Sequence, residues 1–450
     1  MTRPVNKVAK SELKRKALDK LNLWKGKSIN KSLIVTGARQ IGKTYIIREF
    51  GKEFDSFIEL NFLQHPELKG IFKNSLTVDT ILMGIRLSKP GTKIVEGNTL
   101  LFLDEIQECP EAITALKFLA EDKRIRTVAS GSALGIAYNR ATSFPVGYVE
   151  YLDMYSLDFE EFLWAMNVDA DIIEHVKEHF NALTQVEEIL HDKFMQYFRQ
   201  YMVLGGMPEV LNTFLDTRDY YAANEVQKRI YRDYLADIAR FANPTDKIKA
   251  EMCYKSIPTQ LLKENHKFQY SVVENKGTAR KFENSVDWLD SAHMGVIVKN
   301  VGFVEYPLQS HEMSDNMRLY PSDIGLIICT FDFSLVQAIL SDGNETNGNI
   351  ILRTAKGGLY EALIADVLTK SGHNNLHFYR NEAGTAEMEF LIEGKDGVVP
   401  VEVKAGRKKA KTLDNLLQKE DIMKGYKLAN QNVGVAGKKI TIPLYMAMWL

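Results

Sequence analysis

The chain is poor in cysteine, in long apolar runs and in charge of one sign. Its three cysteines, Cys109, Cys253 and Cys329, lie far apart and no CxxC pair exists, which excludes a zinc ribbon and points to a reducing compartment. The longest apolar runs, Leu100 to Leu103 and Gly325 to Cys329, are far too short to span a bilayer, and no apolar signal region follows the basic N-terminus. A soluble, cytoplasmic protein with no membrane partner is the expectation. With 57 Lys and Arg against 58 Asp and Glu, the whole molecule is not a polycation, so any nucleic-acid surface must be local. What is present is folding material: 450 residues, 45% hydrophobic and 26% charged. At about 150 residues per domain, that length implies roughly three domains.

Charge is uneven along the chain. Residues 1–31 carry ten Lys and Arg against Glu12 and Asp19, in a segment with weak amphipathic helical character. It reads either as a phosphate contact or as a solvated helix packed on the next domain. Residues 150–200 reverse the balance, with twelve acids against Lys177, Lys193 and Arg199, and make a poor DNA surface.

The first third alternates strand and helix. Strands are expected at Ser32–Gly37, Ser56–Phe62, Thr99–Glu105, Arg126–Gly131 and Gly147–Leu152, with helical character over Lys43–Phe50. This alternation implies a parallel sheet covered on both faces. Asp158-Phe-Glu-Glu161 reads as a capping box that opens the next helix.

The strongest chemical signal lies on the first strand-to-helix turn. Gly37-Ala38-Arg39-Gln40-Ile41-Gly42-Lys43-Thr44 fits the GxxxxGK[ST] phosphate loop in its proper context. Glycines let the backbone amides wrap phosphate oxygens, and a helix N-terminus favours the anion. Lys43 is expected on the β- and γ-phosphates and Thr44 on Mg²⁺. The run Leu100–Leu103 leads straight into Asp104-Glu105, placing two carboxylates where open α/β sheets bind ligands. Asp104 is expected to hold Mg²⁺ through its water shell, and Glu105 to polarise the attacking water. Ser130-Gly131-Ser132 ends the fourth strand, where Ser130 reads either as a γ-phosphate sensor or as part of a tight turn. No arginine is assignable as a finger, Arg39 and Arg140 included. Because such a finger is worth about 10³ to 10⁵ in rate, hydrolysis by an isolated monomer should be slow.

These motifs, with Leu100–Pro110, Ser130-Gly-Ser and Ser156–Leu163, resemble the prokaryotic AAA-type ATPases that carry a C-terminal domain of unknown function. The resemblance continues through Tyr201-Met-Val-Leu-Gly-Gly-Met-Pro208 and Arg318-Leu-Tyr-Pro-Ser-Asp-Ile-Gly-Leu326. It implies ATP as the nucleotide; the sequence leaves the oligomeric state open, a homo-oligomer included. Many such proteins have Gly-Arg where this chain has Gly147-Tyr148, so any role of that arginine is unfilled here.

The middle reads as helical, with Phe194, Tyr197, Phe198 and Tyr201 spaced as core residues. Helix-like stretches over 247–305, then alternation at Gly295–Asn300 and Gly302–Tyr306, resemble a winged helix. Such a module contacts DNA, here through Lys276, Arg280 and Lys281, or packs against protein.

The C-terminal third offers a second candidate site. A helix from Leu359 to Lys370, a strand Glu387–Glu393 and a strand Val399–Lys404 resemble the PD-(D/E)XK nuclease fold. The resemblance puts Glu389 in the Asp position, Glu402-Val-Lys404 as the ExK element and Glu361 as the acid on the first helix. In that chemistry, carboxylates converge on a divalent metal, with Glu389 and Glu402 as its ligands, while Lys404 stabilises the developing anion. Glu402 and Lys404, two apart on a strand, share a face. Relatives usually have Asp where Glu389 stands, and the longer arm shifts the carboxylate by about one bond. Residues 404–427 add eight Lys and Arg against three acids, a phosphate-facing surface.

The expected organisation is therefore α/β. A basic segment (1–31) precedes a P-loop AAA-type ATPase domain (32–165), a helical and winged-helix-like region (166–345) and a restriction-endonuclease-like α/β domain (346–450). Two functions fit: an ATPase that couples nucleotide state to a DNA-binding or nuclease domain, or a nucleotide-gated switch whose nuclease-like part is an inactive scaffold for DNA or a protein.

Overall fold

The computed structural model describes residues 13–73, 75–131, 145–241, 247–263, 267–341, 350–395, 397–404 and 411–450. Residues 1–12 of the basic segment, Ser132, Arg140 and residues 405–410 of the C-terminal basic run lie outside them. The chain divides into two compact units, one of Arg15–Ser156 with Ser291–His293, the other containing Leu157–Asp290 and Met294–Leu450.

The first unit is built on five parallel strands, β1 (Ser32–Thr36), β2 (Ser56–Asn61), β3 (Thr99–Asp104), β4 (Arg126–Ser130) and β5 (Val149–Asp153), in the order β2-β3-β4-β1-β5. Hydrophobic pattern dictates that order. The continuous apolar run Leu100–Leu103 is fully buried inside the sheet, whereas the alternating β2 and β5 take the edges. Ile34, Leu101 and Leu103 join Ile81, Ile85, Ile113 and Leu116 in one core. Strand β4 stands between β1 and β3, so the phosphate loop and the acidic pair end on either side of Ser130. Helix Lys43–Gly51 follows the loop as expected.

The second unit opens with helices. Asp158 and Glu161 form the expected capping box of helix Phe159–Ala165. Phe194, Phe198 and Tyr201 of helix Glu188–Leu204 are buried, and Tyr197 is half-buried. The two glycine-bearing motifs meet: Asp323 accepts from the amides of Gly206 (2.8 Å) and Gly325 (3.0 Å), so these motifs close the core.

An eight-stranded mixed sheet follows, made of β6 (Gly295–Val301), β7 (Glu312–Pro321), β8 (His377–Arg380), β9 (Glu387–Gly394), β10 (Gly397–Lys404), β11 (Gly425–Ala429), β12 (Gly434–Ala436) and β13 (Lys439–Pro443), in the order β12-β13-β11-β10-β9-β8-β6-β7. Two expectations are corrected here. Gly302–Tyr306 is no strand: Phe303 and Tyr306 are exposed, and β6 pairs instead with Glu312–Pro321. Beyond that hairpin, β6 also pairs parallel to β8 and so carries the C-terminal sheet across position 345. The helix expected from Leu359 begins at Ile350 and runs to Lys370. Leu359, Tyr360, Leu363, Ile364, Val367 and Leu368 are all buried, so most of its circumference is core.

Candidate functional sites

At the end of β1 the chain turns through Gly37 (φ +141°), Gln40 (φ +62°) and Gly42 (φ +94°) into helix Lys43–Gly51. A Cβ on Gly37 would stand 2.1 Å from the Met154 carbonyl oxygen, so only glycine fits. Among the described residues no side chain caps the helix start, where any α-helix presents amides that lack intrahelical acceptors. Ala38 and Ile41 are buried, Arg39 is half-buried and Gln40 is exposed. Buried Lys43 donates from Nζ to the carbonyls of Gly37 (2.9 Å) and Ala38 (2.6 Å).

Asp104 is the centre of the polar cluster. Its carboxylate accepts from the Thr44 hydroxyl (3.2 and 3.3 Å), from the Asn61 amide (2.8 Å) and from the Ser130 hydroxyl. Sheet register causes this: Asn61 pairs with Asp104 across β2 and β3, and Ser130 ends the strand beside them. The hydroxyl of Thr44 and the carboxylate of Asp104 are hard oxygen donors in mutual reach, a set that suits Mg²⁺. Glu105 leaves the strand in the left-handed region (φ +54°), and the Gln107 amide donates to its carboxylate. A non-glycine residue held there costs on the order of 1 kcal/mol, a pattern that concentrates at functional sites.

Sequence reasoning missed two members of this site. Asn61 carries no motif and shows itself only through strand register. Arg15, counted in the basic segment, is a buried strut: its guanidinium donates to the carbonyls of Ile41 (2.9 Å) and Tyr155 (2.7 Å). The packed-helix alternative is what the structure shows for this residue.

In the second unit β9 and β10 are antiparallel neighbours, which brings Glu389, Glu402 and Lys404 together. Lys404 Nζ lies 2.8 Å from Glu389 and 2.9 Å from Glu402, while the Val403 amide donates to Glu389 (3.3 Å). Burial pushes the Glu389 carboxyl up to about 7; Lys404 opposes the shift, and Glu361 and Glu402 add to it. Burial likewise raises Glu402. For Lys404, burial disfavours the charge, but Glu389 and Glu402 outweigh it and hold the ammonium above its ordinary range. Among the described residues, Glu402 Oε2 is buried without a hydrogen-bond partner of good geometry, although the Leu413 amide is near enough to favour the charged form of this carboxyl. An orphaned carboxylate oxygen of this kind fits a divalent cation.

The third acid, Glu361, has partners of its own. Glu361 is buried and accepts from Arg318 and Tyr320, and the same guanidinium donates to Glu387 and lies 4.2 Å from the Phe378 ring centroid. Among the described residues, Glu361, Glu389 and Glu402 are not a set of ligands within 4.8 Å of one another. Arg318 and Tyr320 were visible only as part of a motif without chemistry. Lys276, Arg280 and Lys281 are exposed, and Lys281 is paired with Glu274.

Residues 29–163 match the family model of an AAA domain. Residues 195–336 and 356–445 match two domains of unknown function, DUF8612 and DUF4143. No curated protein matches the chain. Solved structures similar to it include the Walker-type ATPase PABY2304 of Pyrococcus abyssi (12% identity, 71% of this chain and 96% of that one, TM-score 0.42). Others are Drosophila ORC bound to DNA (12%, 72% and 93%, 0.26) and C. elegans PCH-2 (11%, 44% and 58%, 0.21). By the family match, residues 29–163 are an AAA-type P-loop ATPase domain, and the stretches after it are similar to two domains of unknown function. Among the described residues, no helix is long and apolar enough to cross a membrane.

Proposed function

We propose that the chain binds and hydrolyses ATP at Gly37–Thr44 and couples nucleotide state to a DNA-handling, nuclease-like C-terminal region. The observation that carries this reading is the cluster in which Thr44, Asn61 and Ser130 all donate to Asp104 beside buried Lys43. Loop amides and Lys43, swung from the Gly37 and Ala38 carbonyls, hold the phosphates. Thr44 and Asp104 would hold Mg²⁺, which would neutralise charge on the phosphate oxygens. Glu105 takes the proton of the attacking water, and Ser130 orients Asp104. An arginine from a neighbouring copy would complete the site, which gives a homo-oligomer its purpose and leaves the monomer slow. In the C-terminal region, Glu402 and Glu389 would hold a divalent ion that activates water, and Lys404 would stabilise the scissile phosphate. A cytoplasmic setting suits both activities and the buried free thiols of Cys109, Cys253 and Cys329.

A second reading is favoured by one observation: Lys404 bridges both Glu389 and Glu402, and Arg318 occupies Glu361. Carboxylates so neutralised suit a scaffold in a nucleotide-gated switch that binds DNA or a protein. Cleavage of single- and double-stranded DNA with Mg²⁺ or Mn²⁺, with and without ATP, separates the two readings. Cleavage lost in Lys404→Ala, with its ATP dependence lost in Lys43→Ala, supports the coupled enzyme. ATP hydrolysis with no cleavage under any condition supports the switch.

A further inference from the structure

Helix Ala170–Ala182 carries two histidines one turn apart, and the helix after it, Glu188–Leu204, is entered through Glu187. Residues four apart on a helix share a face, and the chain returns so that Glu187 meets that face. His175 Nε2 lies 3.3 Å from both oxygens of Glu187, and His179 Nε2 lies 3.7 Å from one of them. The two rings stand edge to face with centroids 4.9 Å apart. Among the described residues, this is the one set of three potential ligands whose donor atoms all fall within 4.8 Å of one another.

We infer that His175, His179 and Glu187 form a binding site for a borderline divalent cation, Zn²⁺ in preference to Mg²⁺. Two imidazole nitrogens and one carboxylate oxygen are the donor set of zinc sites that keep a fourth position open, whereas Mg²⁺ selects oxygen alone. The surroundings support a metal rather than a passing ion pair. His179 Nδ1 lies 2.8 Å from the Thr184 hydroxyl, an outer contact that holds the ring and leaves Nε2 facing Glu187. The intervening loop is itself held, because Asn432 accepts from the Val186 amide (3.0 Å) and donates to its carbonyl (2.6 Å). The helix is pinned by Phe180 against Trp449, with ring centroids 5.8 Å apart. The ligands therefore stand on a fixed frame. His175 and Glu187 are about half exposed, so the ion enters from solvent and the fourth position takes water or a donor from a partner. Bound there, it ties one helix to the start of the next.

The test is a Co²⁺ titration of the full chain, stripped of metal by chelation, in excess Mg²⁺ that fills the oxygen sites. The expected result is one equivalent of Co²⁺ with the visible absorption of low-coordinate cobalt, displaced by Zn²⁺. His179→Ala and His175→Gln should each abolish the band, and Thr184→Val should weaken Zn²⁺ by roughly 10-fold. Circular dichroism of each variant should match the parent. Weak absorption of hexa-aquo type, or a band that survives both histidine substitutions, would overturn the site.

Discussion

At the end of β3 one carboxylate, Asp104, is served by three neutral donors, Thr44, Asn61 and Ser130. Where β9 runs beside the end of β10, two carboxylates, Glu389 and Glu402, share one ammonium, and a third, Glu361, is taken by a guanidinium. Neutral donors orient a carboxylate without cancelling its charge, so the first site is prepared for an arriving cation. Internal cations cancel the charge in advance, so at the second site a metal must compete with Lys404 or settle on the orphaned oxygen of Glu402. Burial alone therefore does not distinguish a metal site from an ion-paired core; the charge of the partners does.

The largest effect expected is at Lys43. Lys43→Ala should weaken nucleotide binding by on the order of 10²-fold or more in a fluorescent-nucleotide titration, the scale of losing a charged donor from a phosphate site. Retained affinity would erase the contrast, since the first site would then bind no better prepared than the second. Glu105→Gln should keep binding and lower hydrolysis by roughly 10² to 10⁴, the worth of a positioned base, read as phosphate release. Arg318→Ala leaves Glu361 buried without its cation and should cost about 3–5 kcal/mol in denaturant unfolding. A loss under 1 kcal/mol would mean that Arg318 is dispensable and that the acid is available to metal.

The pH dependence of unfolding sharpens the second site. Glu389 is raised from 4.5 to about 7, so the native state holds its proton more tightly than the unfolded chain does. That stabilisation is fully present below about pH 4.5 and is lost as pH rises to about 7. Buried Asp366, raised to about 7 by burial against the opposing Lys370, adds a slope of the same sign in the same unit. Glu389→Gln should flatten the pH 5–7 slope by up to ~1.4 kcal/mol per pH unit; an unchanged slope would show that Lys404 fully compensates the carboxylate. The smallest effect expected is at Asp158, whose capping bonds touch neither site: Asp158→Ala should cost about 1 kcal/mol and leave ATP binding unchanged.

The phosphate loop was legible because its chemistry is contiguous: eight residues, Gly37 to Thr44, carry the pattern on one turn. The ExK strand was legible for the same reason, Glu402 and Lys404 being two residues apart. What spacing could not show is what strand register assembles. Asn61 reaches Asp104 only because β2 lies beside β3, and Arg318 reaches Glu361 across 43 residues. The hairpin partner of β6 shows no clean apolar alternation, because polar Ser314, Asp315 and Asn316 stand inside β7, while Gly302–Tyr306 alternates like a strand, burying Val304 and exposing Phe303, without pairing as one.

Calorimetric titration of Mg·ATP into the full chain, Lys43→Ala and Lys404→Ala tests the account most directly. One site per chain, lost in Lys43→Ala and undisturbed in Lys404→Ala, is the predicted result. Binding that survives Lys43→Ala, or that disappears with Lys404→Ala, would contradict it.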